Sequence, residues 1–142
     1  MKPLEGIDHY GDLDYRDPKC PREGAEQVTF FNQLRKKYPD TYGLIAVHTR
    51  NEGKKTINQV QKEKAEGMAT GAPDIAIPGR PAFLCELKRK DRTLSSLQPG
   101  QEPYLRASQA AGAYCCIAFG WEAAMQAFEH WLAKVNQCSM PR

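Results

Sequence analysis

The chain has 142 residues, of which 41% are hydrophobic and 26% are charged, and its formal net charge is +3. This length and composition are typical of a single globular domain and exclude a low-complexity chain. No apolar run approaches the roughly 18 to 20 residues of a membrane-spanning helix, and no basic and then apolar leader opens the chain, so we expect an intracellular protein of a bacterial or host cytoplasm that makes no membrane contact.

The cysteines and histidines are too dispersed to indicate a zinc site. The chain has five cysteines without a Cys-x-x-Cys pair, and its three histidines are far apart. This spacing also argues against a disulfide framework. Cys85, Cys115 and Cys116 lie in apolar segments, where cysteine acts as a small hydrophobic residue. We therefore expect no zinc and no fold that depends on disulfides.

The basic residues are clustered although the net charge is small. The first 17 residues hold five acids and two bases, whereas positive charge gathers at residues 35–37, 54–55, 62–64 and 88–92. Clustered basic charge on a nearly balanced protein is typical of a surface that binds a polyanion. For any single cluster, a solvated surface is the alternative.

The N-terminal half is predicted to contain an arm, two helices and one strand. Residues 1–21 lack apolar periodicity and predict an extended arm, so the folded domain is expected over residues 22–142. Residues 22–38 carry a three-residue apolar spacing, acids at the front and bases at the back, which predicts a helix. The aliphatic residues 43–49 predict a strand, and the polar residues 56–68 predict an exposed helix.

The C-terminal half is predicted to contain a hairpin followed by a helix, a strand and a closing helix. Strands over residues 74–77 and 82–87 are joined by the tight turn Pro-Gly-Arg-Pro, so they should pair in an antiparallel manner. A helix over residues 100–112, a charge-free strand over 113–120 and an amphipathic helix over 121–135 follow. The order predicts an α/β fold in which a mixed central sheet of about four strands is flanked by helices.

The hairpin carries charged residues that a buried sheet would exclude. Glu86 and Lys88 share one face of their strand because strand residues alternate, and Asp74 begins the neighbouring strand. If Asp74 projects to the same face, the two carboxylates repel unless a cation lies between them. A hard divalent cation with oxygen ligands suits such a pair, and it can bind a scissile phosphate and activate water beside a lysine. The alternative is a salt bridge on a solvated face of the hairpin.

These residues resemble the PD-(D/E)XK nuclease motif, as Pro73-Asp74, an eleven-residue gap and then Glu86-Leu87-Lys88. The segments "GAPDIAI" and "AVHTRNEGKK" resemble one branch of that superfamily, the VRR-Nuc nucleases. Residues on the helices before and after the motif match the spacing of this branch as well, namely Glu23, Gln27, Gln101, Tyr104 and Gly112. The resemblance covers about residues 22–127, nearly the whole chain.

The resemblance implies a restriction-endonuclease-like core with a metal-dependent active site. The metal would be Mg²⁺, with Mn²⁺ as a substitute, because its ligands are oxygens. Its ligands would be the side chains of Asp74, Glu86 and Glu23 and the main-chain carbonyl of Leu87. Glu26, one helical turn from Glu23, is an alternative for the helical acid.

The resemblance also implies roles for residues around the metal. Lys88 would orient the attacking water or neutralise the phosphate, and Gln101 would support the site. Several further residues would lie at a rim near DNA, namely His48, Asn51, Lys54, Lys55, Arg89 and Lys90. For these rim residues, an ordinary polar loop is the alternative.

The resemblance implies a DNA endonuclease. Small single-domain members of this branch resemble Holliday-junction resolvases and often come from phages, so we expect a homodimer that cuts branched DNA. Two alternatives are a nicking or restriction-like nuclease acting on linear duplex or single-stranded DNA, and a non-catalytic DNA-binding or inhibitor protein on the same scaffold. The complete set of motif acids and the lysine favours an enzyme over the last of these.

Overall fold

The computed structural model describes residues 1–49, 55–67 and 69–139. Among these residues, five strands form one sheet: β1 (Asp8–Tyr10), β2 (Val47–His48), β3 (Ile75–Ile77), β4 (Phe83–Lys88) and β5 (Tyr114–Phe119). The strand order is β1-β5-β4-β3-β2, with β5 parallel to both of its neighbours and β3 antiparallel to both of its own. The predicted mixed sheet is therefore confirmed, with one strand more than expected.

Helices flank the sheet on both faces. In the described ranges they are α1 (Glu23–Lys37), the short α2 (Tyr42–Ile45), α3 (Ile57–Ala65), α4 (Gln101–Ala110) and α5 (Trp121–Ser139). The four helices predicted from the sequence are all present, with ends shifted by a few residues. None of these helices is both long and apolar enough to cross a membrane.

The main core lies between the sheet and the helices α1 and α5. Phe30, Leu34, Phe83 and Phe128 are fully buried there. Trp131 packs its ring 5.5 Å from that of Phe83 and donates its indole N–H to the carbonyl of Pro81 at 2.8 Å. A smaller apolar cluster under α4 covers the other face of the sheet. The central strand β4 is therefore buried on both faces.

This burial contradicts one reading of the hairpin. Glu86 and Lys88 are only 1% and 2% exposed, so they do not form a salt bridge on a solvated face. Two charged residues in a doubly covered strand carry a desolvation penalty that a surface pair avoids. Their position therefore calls for compensating partners inside the protein.

The strand predicted over residues 43–49 is mostly wrong. Tyr42–Ile45 is helical, and only Val47–His48 pairs with β3. Gly43 donates its N–H to the carbonyl of Tyr38 at 2.8 Å, and it lies so close to α1 that a Cβ would be 2.6 Å from that same oxygen. Packing against α1 therefore overrides the strand preference of the aliphatic side chains.

The N-terminal arm contributes the fifth strand. β1 pairs in parallel with β5, so that Asp8 lies opposite Cys116. The segment after β4 holds the arm at further points: Asp91 accepts a hydrogen bond from the Asp17 N–H at 2.9 Å, and Arg92 donates to the carbonyl of Leu13 at 2.8 Å. Part of the basic cluster at residues 88–92 therefore serves the fold.

Replacing Asp91 with alanine is expected to loosen this arm. Asp91 is only 3% exposed, and its carboxylate accepts hydrogen bonds from Thr93 and from the Asp17 N–H, which hold its pKa below the usual range. We expect a lower unfolding temperature and faster proteolysis within residues 1–21. Because the lowered pKa makes this stabilisation present above the usual pKa of an aspartate, the difference from the wild type should shrink as the pH falls through the pKa of Asp91.

Thermal unfolding and limited proteolysis at several pH values would measure the effect of Asp91. The exposed Asp14 provides the matched control, as Asp14→Ala. Equal protease sensitivity of the two variants would contradict the role of Asp91 in holding the arm.

Candidate active site

One cavity collects most of the residues that the sequence predicts to be catalytic. It has a volume of about 250 Å³, and its walls include Asp74, Glu86, Lys88, Gln101 and Glu23. Asp74 directly precedes β3, Glu86 and Lys88 lie on β4, and Gln101 and Glu23 are the first residues of α4 and α1. Four separate elements therefore present polar side chains to one space.

Main-chain contacts hold Asp74 in place. Its Oδ2 accepts a hydrogen bond from the Leu87 N–H at 3.0 Å. His48 donates from Nδ1 to the main-chain carbonyl of Asp74 at 3.0 Å, and the Thr49 hydroxyl donates to the carbonyl of Pro73. Burial raises the pKa of Asp74, although a hydrogen bond with Glu86, the Leu87 N–H and the charge of Lys88 oppose the shift.

The position of Leu87 also bears on the site. The N–H and C=O of one strand residue point to the same side of the strand. Since its N–H reaches Asp74, the Leu87 carbonyl faces the same edge of β4. The main-chain oxygen that the resemblance assigned as a ligand is therefore on the side of the carboxylates.

Glu86 has one satisfied and one unsatisfied carboxylate oxygen. Its Oε1 accepts a hydrogen bond from Gln101 Nε2 at 2.9 Å and lies 3.7 Å from Lys88 Nζ. Its Oε2 is buried and has no hydrogen-bond partner among the described residues. Burial, together with the nearby charge of Asp74, raises the pKa of Glu86 to about 10. With its proton kept, Glu86 shares a hydrogen bond with Asp74, so the two acids lie close enough for one cation to take the place of that proton.

Lys88 and Gln101 form a connected pair. The Lys88 ammonium donates to the carbonyl of Ser96 at 2.9 Å and to Gln101 Oε1 at 3.2 Å. Gln101 Oε1 also accepts from the Gln98 N–H at 2.7 Å, while its amide nitrogen donates to Glu86. Because the oxygen faces only donors and the nitrogen faces a carboxylate, the orientation of this amide is determined.

Glu23 lies at the edge of the cavity, beside Lys88 more than beside the two carboxylates. Its Oε1 accepts a hydrogen bond from the Ser95 hydroxyl at 3.2 Å and is 3.9 Å from Lys88 Nζ. Within the described part of the chain, no three side chains of His, Cys, Asp or Glu converge as metal ligands. The carboxylates that meet are therefore Asp74 and Glu86, and Glu23 would reach a metal between them only through water or by moving.

The structure places Glu26, the alternative for the helical acid, away from this cavity. Glu26 is 5% exposed, and its carboxylate accepts a hydrogen bond from the N–H of Trp121, the first residue of α5. Backbone N–H groups at the start of a helix lack partners within the helix and attract a carboxylate. Glu26 therefore serves the start of α5 and does not line the active-site cavity.

The predicted rim residues lie in different places. Asn51 and Lys54 fall outside the described residues. His48 is bonded to the main chain of Asp74, so it positions the site from behind. Lys55 forms an ion pair of 2.5 Å with Glu63 in a second cavity next to the first.

Arg89 and Lys90, which were predicted to lie near DNA, contact the N-terminal arm. Arg89 donates to the main-chain carbonyls of Cys20 and Pro21 at 2.5 and 3.1 Å. The ammonium of Lys90 lies 4.6 Å from the centre of the Tyr15 ring. These two side chains therefore hold part of the arm, whose pairing the local pattern did not reveal.

Sequence reasoning missed the loop that supports Lys88. Ser96 acts through its main-chain carbonyl, which leaves no signal in the sequence. Gly71 did leave a signal, because a glycine precedes the motif. Its φ is +83°, and a Cβ there would lie 2.2 Å from the Gly100 carbonyl oxygen. This close approach brings the segment before β3 against the start of α4 and so places Gln101 in the site.

No protein-family model matches this chain, and no curated protein matches it in sequence. Among solved structures, the chain is similar to a "VRR_NUC domain protein", with a TM-score of 0.66 and 17% sequence identity. The match covers 81% of this chain and 91% of that chain. An identity this low establishes similarity of fold and leaves the activity open. The chain therefore has the α/β fold of a VRR_NUC domain protein, as its sequence motifs implied.

Proposed function

We propose that the protein is a Mg²⁺-dependent endonuclease that hydrolyses phosphodiester bonds in DNA. The observation that carries the proposal is the meeting of two carboxylates, the half-buried Asp74 and the buried Glu86, beside the ammonium of Lys88 in one cavity. The fold shared with a VRR_NUC domain protein supports it. A structural salt bridge would not need a second carboxylate so close to Glu86 that the two share a hydrogen bond.

The ligand atoms that this site offers suit a hard divalent cation. Asp74, Glu86 and the Leu87 carbonyl offer only oxygen, which Mg²⁺ and Mn²⁺ prefer over nitrogen or sulfur. A cation here would bind Glu86 Oε2 and stabilise the charged form of Glu86, whose pKa is raised by burial and by the charge of Asp74. When bound, the metal would lower the pKa of a water molecule and neutralise charge on the phosphate.

Lys88 is suited to act on the reacting phosphate. A lysine ammonium has three N–H donors, and Ser96 and Gln101 accept hydrogen bonds from it. A remaining donor would bind the attacking water or an oxygen that gains charge in the transition state. Gln101 would act as a positioning residue, because it restrains both Lys88 and Glu86.

The finer part of the proposal is that the substrate is branched DNA and that the active form is a homodimer. A two-fold dimer would place two active sites against two strands of a branched substrate. Exposed apolar side chains near the β2 edge favour such an interface, with Val28 61%, Leu44 72% and Val47 53% exposed.

Cleavage is expected with Mg²⁺, to be restored by Mn²⁺ and to be absent in EDTA. We expect four-way and other branched DNA to be cut faster than linear duplex of the same sequence, and light scattering to give the mass of a dimer. A panel of junction, fork, flap, duplex and single-stranded substrates measures this directly.

Each outcome of this panel bears on a different part of the proposal. Binding without any cleavage would contradict the nuclease and favour the non-catalytic alternative, whereas cleavage that persists in EDTA would contradict the dependence on a metal. A monomer that cuts linear and branched DNA equally well would contradict only the preference for branched substrates and the dimer.

A further inference from the structure

We propose that a second cavity, next to the active site, binds one unpaired nucleotide of the strand being cut, a proposal that rests on the nuclease function above. The cavity has a volume of about 410 Å³ and lies between α3 and the segments that lead into β3 and α4. Val60 and Lys64 form part of its wall on the α3 side, and Gln98 and Gln101 form part of the opposite wall.

The two cavities are neighbours that share a wall. Gln98 and Gln101 line both of them, and Gln101 contacts Glu86 and Lys88 directly. A DNA strand whose phosphate lies at Glu86 and Lys88 would therefore bring its adjoining nucleotide to the second cavity. The position of the cavity thus fits the substrate strand itself.

One face of helix α3 lines this cavity without being buried against the rest of the protein. None of its nine residues is buried, although most helices of globular proteins bury an apolar face. Val60, Glu63 and Lys64 lie three and four residues apart, so they share one face, and that face turns towards the cavity.

Local contacts hold the helix in this position. Thr56 and Gln59 form a reciprocal capping box at its start, and Lys55 pairs with Glu63 along its side. A nine-residue helix is marginal without tertiary packing, so a ligand in the cavity would complete its contacts.

The chemistry of the cavity wall matches a nucleotide. The ammonium groups of Lys55 and Lys64 outnumber the single carboxylate of Glu63 and suit a phosphate, Val60 offers an apolar surface to a base, and the glutamine amides can bind base edges. The volume falls in the range of about 300 to 1,000 Å³ that single small ligands occupy. A base that is still paired could not enter, because the cavity has no room for the second base and its strand.

This geometry specifies a class of substrate. An unpaired nucleotide beside the cut occurs at branch points, flaps and single strands, whereas a continuous duplex must first expel a base at a cost of a few kcal/mol. The cavity would therefore favour DNA that is already unpaired next to the scissile phosphate.

Filling the cavity tests the proposal. Val60 is 36% exposed on a helix that buries none of its residues, so Val60→Trp should fold normally and occupy the cavity. Ile57 lies on the same helix, is 77% exposed and does not line the cavity, so Ile57→Trp is the matched control. In EDTA, we expect Val60→Trp to weaken binding of a short single-stranded oligonucleotide about tenfold, the loss of one base contact, with duplex binding unchanged; Ile57→Trp should bind both DNAs as the wild type does.

Two charge-reversal variants provide a second test. Lys64 lines the cavity, whereas Lys62 points to solvent with 78% of its side chain exposed. Lys64→Glu and Lys62→Glu change the net charge equally, so general attraction to DNA falls equally in both. Only Lys64→Glu should selectively lower binding of the single strand and, in Mg²⁺, cleavage of branched DNA.

The results separate this proposal from the nuclease itself. If Val60→Trp and Ile57→Trp behave alike on single-stranded, branched and duplex DNA, the nucleotide site is refuted, while Mg²⁺-dependent cleavage by both leaves the nuclease proposal intact. If the wild type cuts no DNA, the nuclease proposal fails, and the binding comparison in EDTA still decides whether the cavity takes a nucleotide.

Discussion

Replacing Asp74 with asparagine is expected to lower Mg²⁺-dependent cleavage by at least about a thousandfold, because it removes one of the two carboxylates that would hold the metal. DNA binding should remain, since Asp74 is proposed as a metal ligand and not as a phosphate contact. The asparagine oxygen can still accept the hydrogen bond from the Leu87 N–H, so the segment before β3 should keep its shape.

Single-turnover cleavage, DNA binding in EDTA and thermal unfolding of Asp74→Asn would be measured together. The exposed Asp40 provides a control of the same chemistry, as Asp40→Asn. Cleavage that survives in Asp74→Asn would remove this cavity from consideration as the active site. A parallel loss of DNA binding in a folded variant would assign Asp74 to substrate binding instead.

Replacing Glu86 with glutamine is expected to stabilise the metal-free protein and to abolish cleavage. The pKa of Glu86 is raised from its usual 4.5 to about 10 by burial and by the charge of Asp74. Between these two pKa values Glu86 ionises in the unfolded chain but stays protonated in the folded protein. Ionisation lowers the free energy of the unfolded state, so the folded state loses stability as the pH rises through this window. Glutamine has no proton to release, and its amide can donate to Asp74, so the penalty disappears; at neutral pH we expect a gain on the order of 1–3 kcal/mol in the free energy of unfolding.

Thermal unfolding in EDTA at several pH values tests this expectation. The stability gain of Glu86→Gln should be near zero at about pH 4.5 and should grow as the pH rises. Added Mg²⁺ should stabilise the wild type by mass action but not Glu86→Gln. The exposed Glu66, as Glu66→Gln, is the control. Two results would contradict this expectation. A Glu86→Gln variant that is less stable than the wild type at every pH would show that burying Glu86 does not destabilise the protein. Equal stabilisation of the variant and the wild type by Mg²⁺ would contradict the metal site at Glu86.

The site could be predicted where local geometry alone decides it. Alternation along a strand places Glu86 and Lys88 on one face, and the short turn before β4 forces an antiparallel hairpin. In that hairpin Ile75 lies opposite Cys85, so Asp74 comes next to Glu86. The places of Glu23 and Gln101 did not follow from periodicity, and only the family resemblance suggested them.

Distant contacts decide the places of several residues that the sequence pattern could not locate. Glu26 binds the start of α5, and Arg89 binds the arm, each through a partner at least 68 residues away in sequence. Residues 42–45 became helical because they pack against α1. Local composition contains no information about these partners.

By itself, the sequence determined four of the helices and the antiparallel hairpin that carries Asp74 and Glu86, because these depend on periodicity and on a short turn. Only the tertiary structure decided that β4 is covered on both faces, that the arm adds a strand and that Gln101 joins Glu86 to Lys88. Covering both faces of β4 removes water from Glu86, whose charged form is then destabilised by burial and by the nearby charge of Asp74. On a solvated hairpin, water would screen the two acids from each other. This destabilisation depends on burial, which is supplied by helices that are distant in sequence.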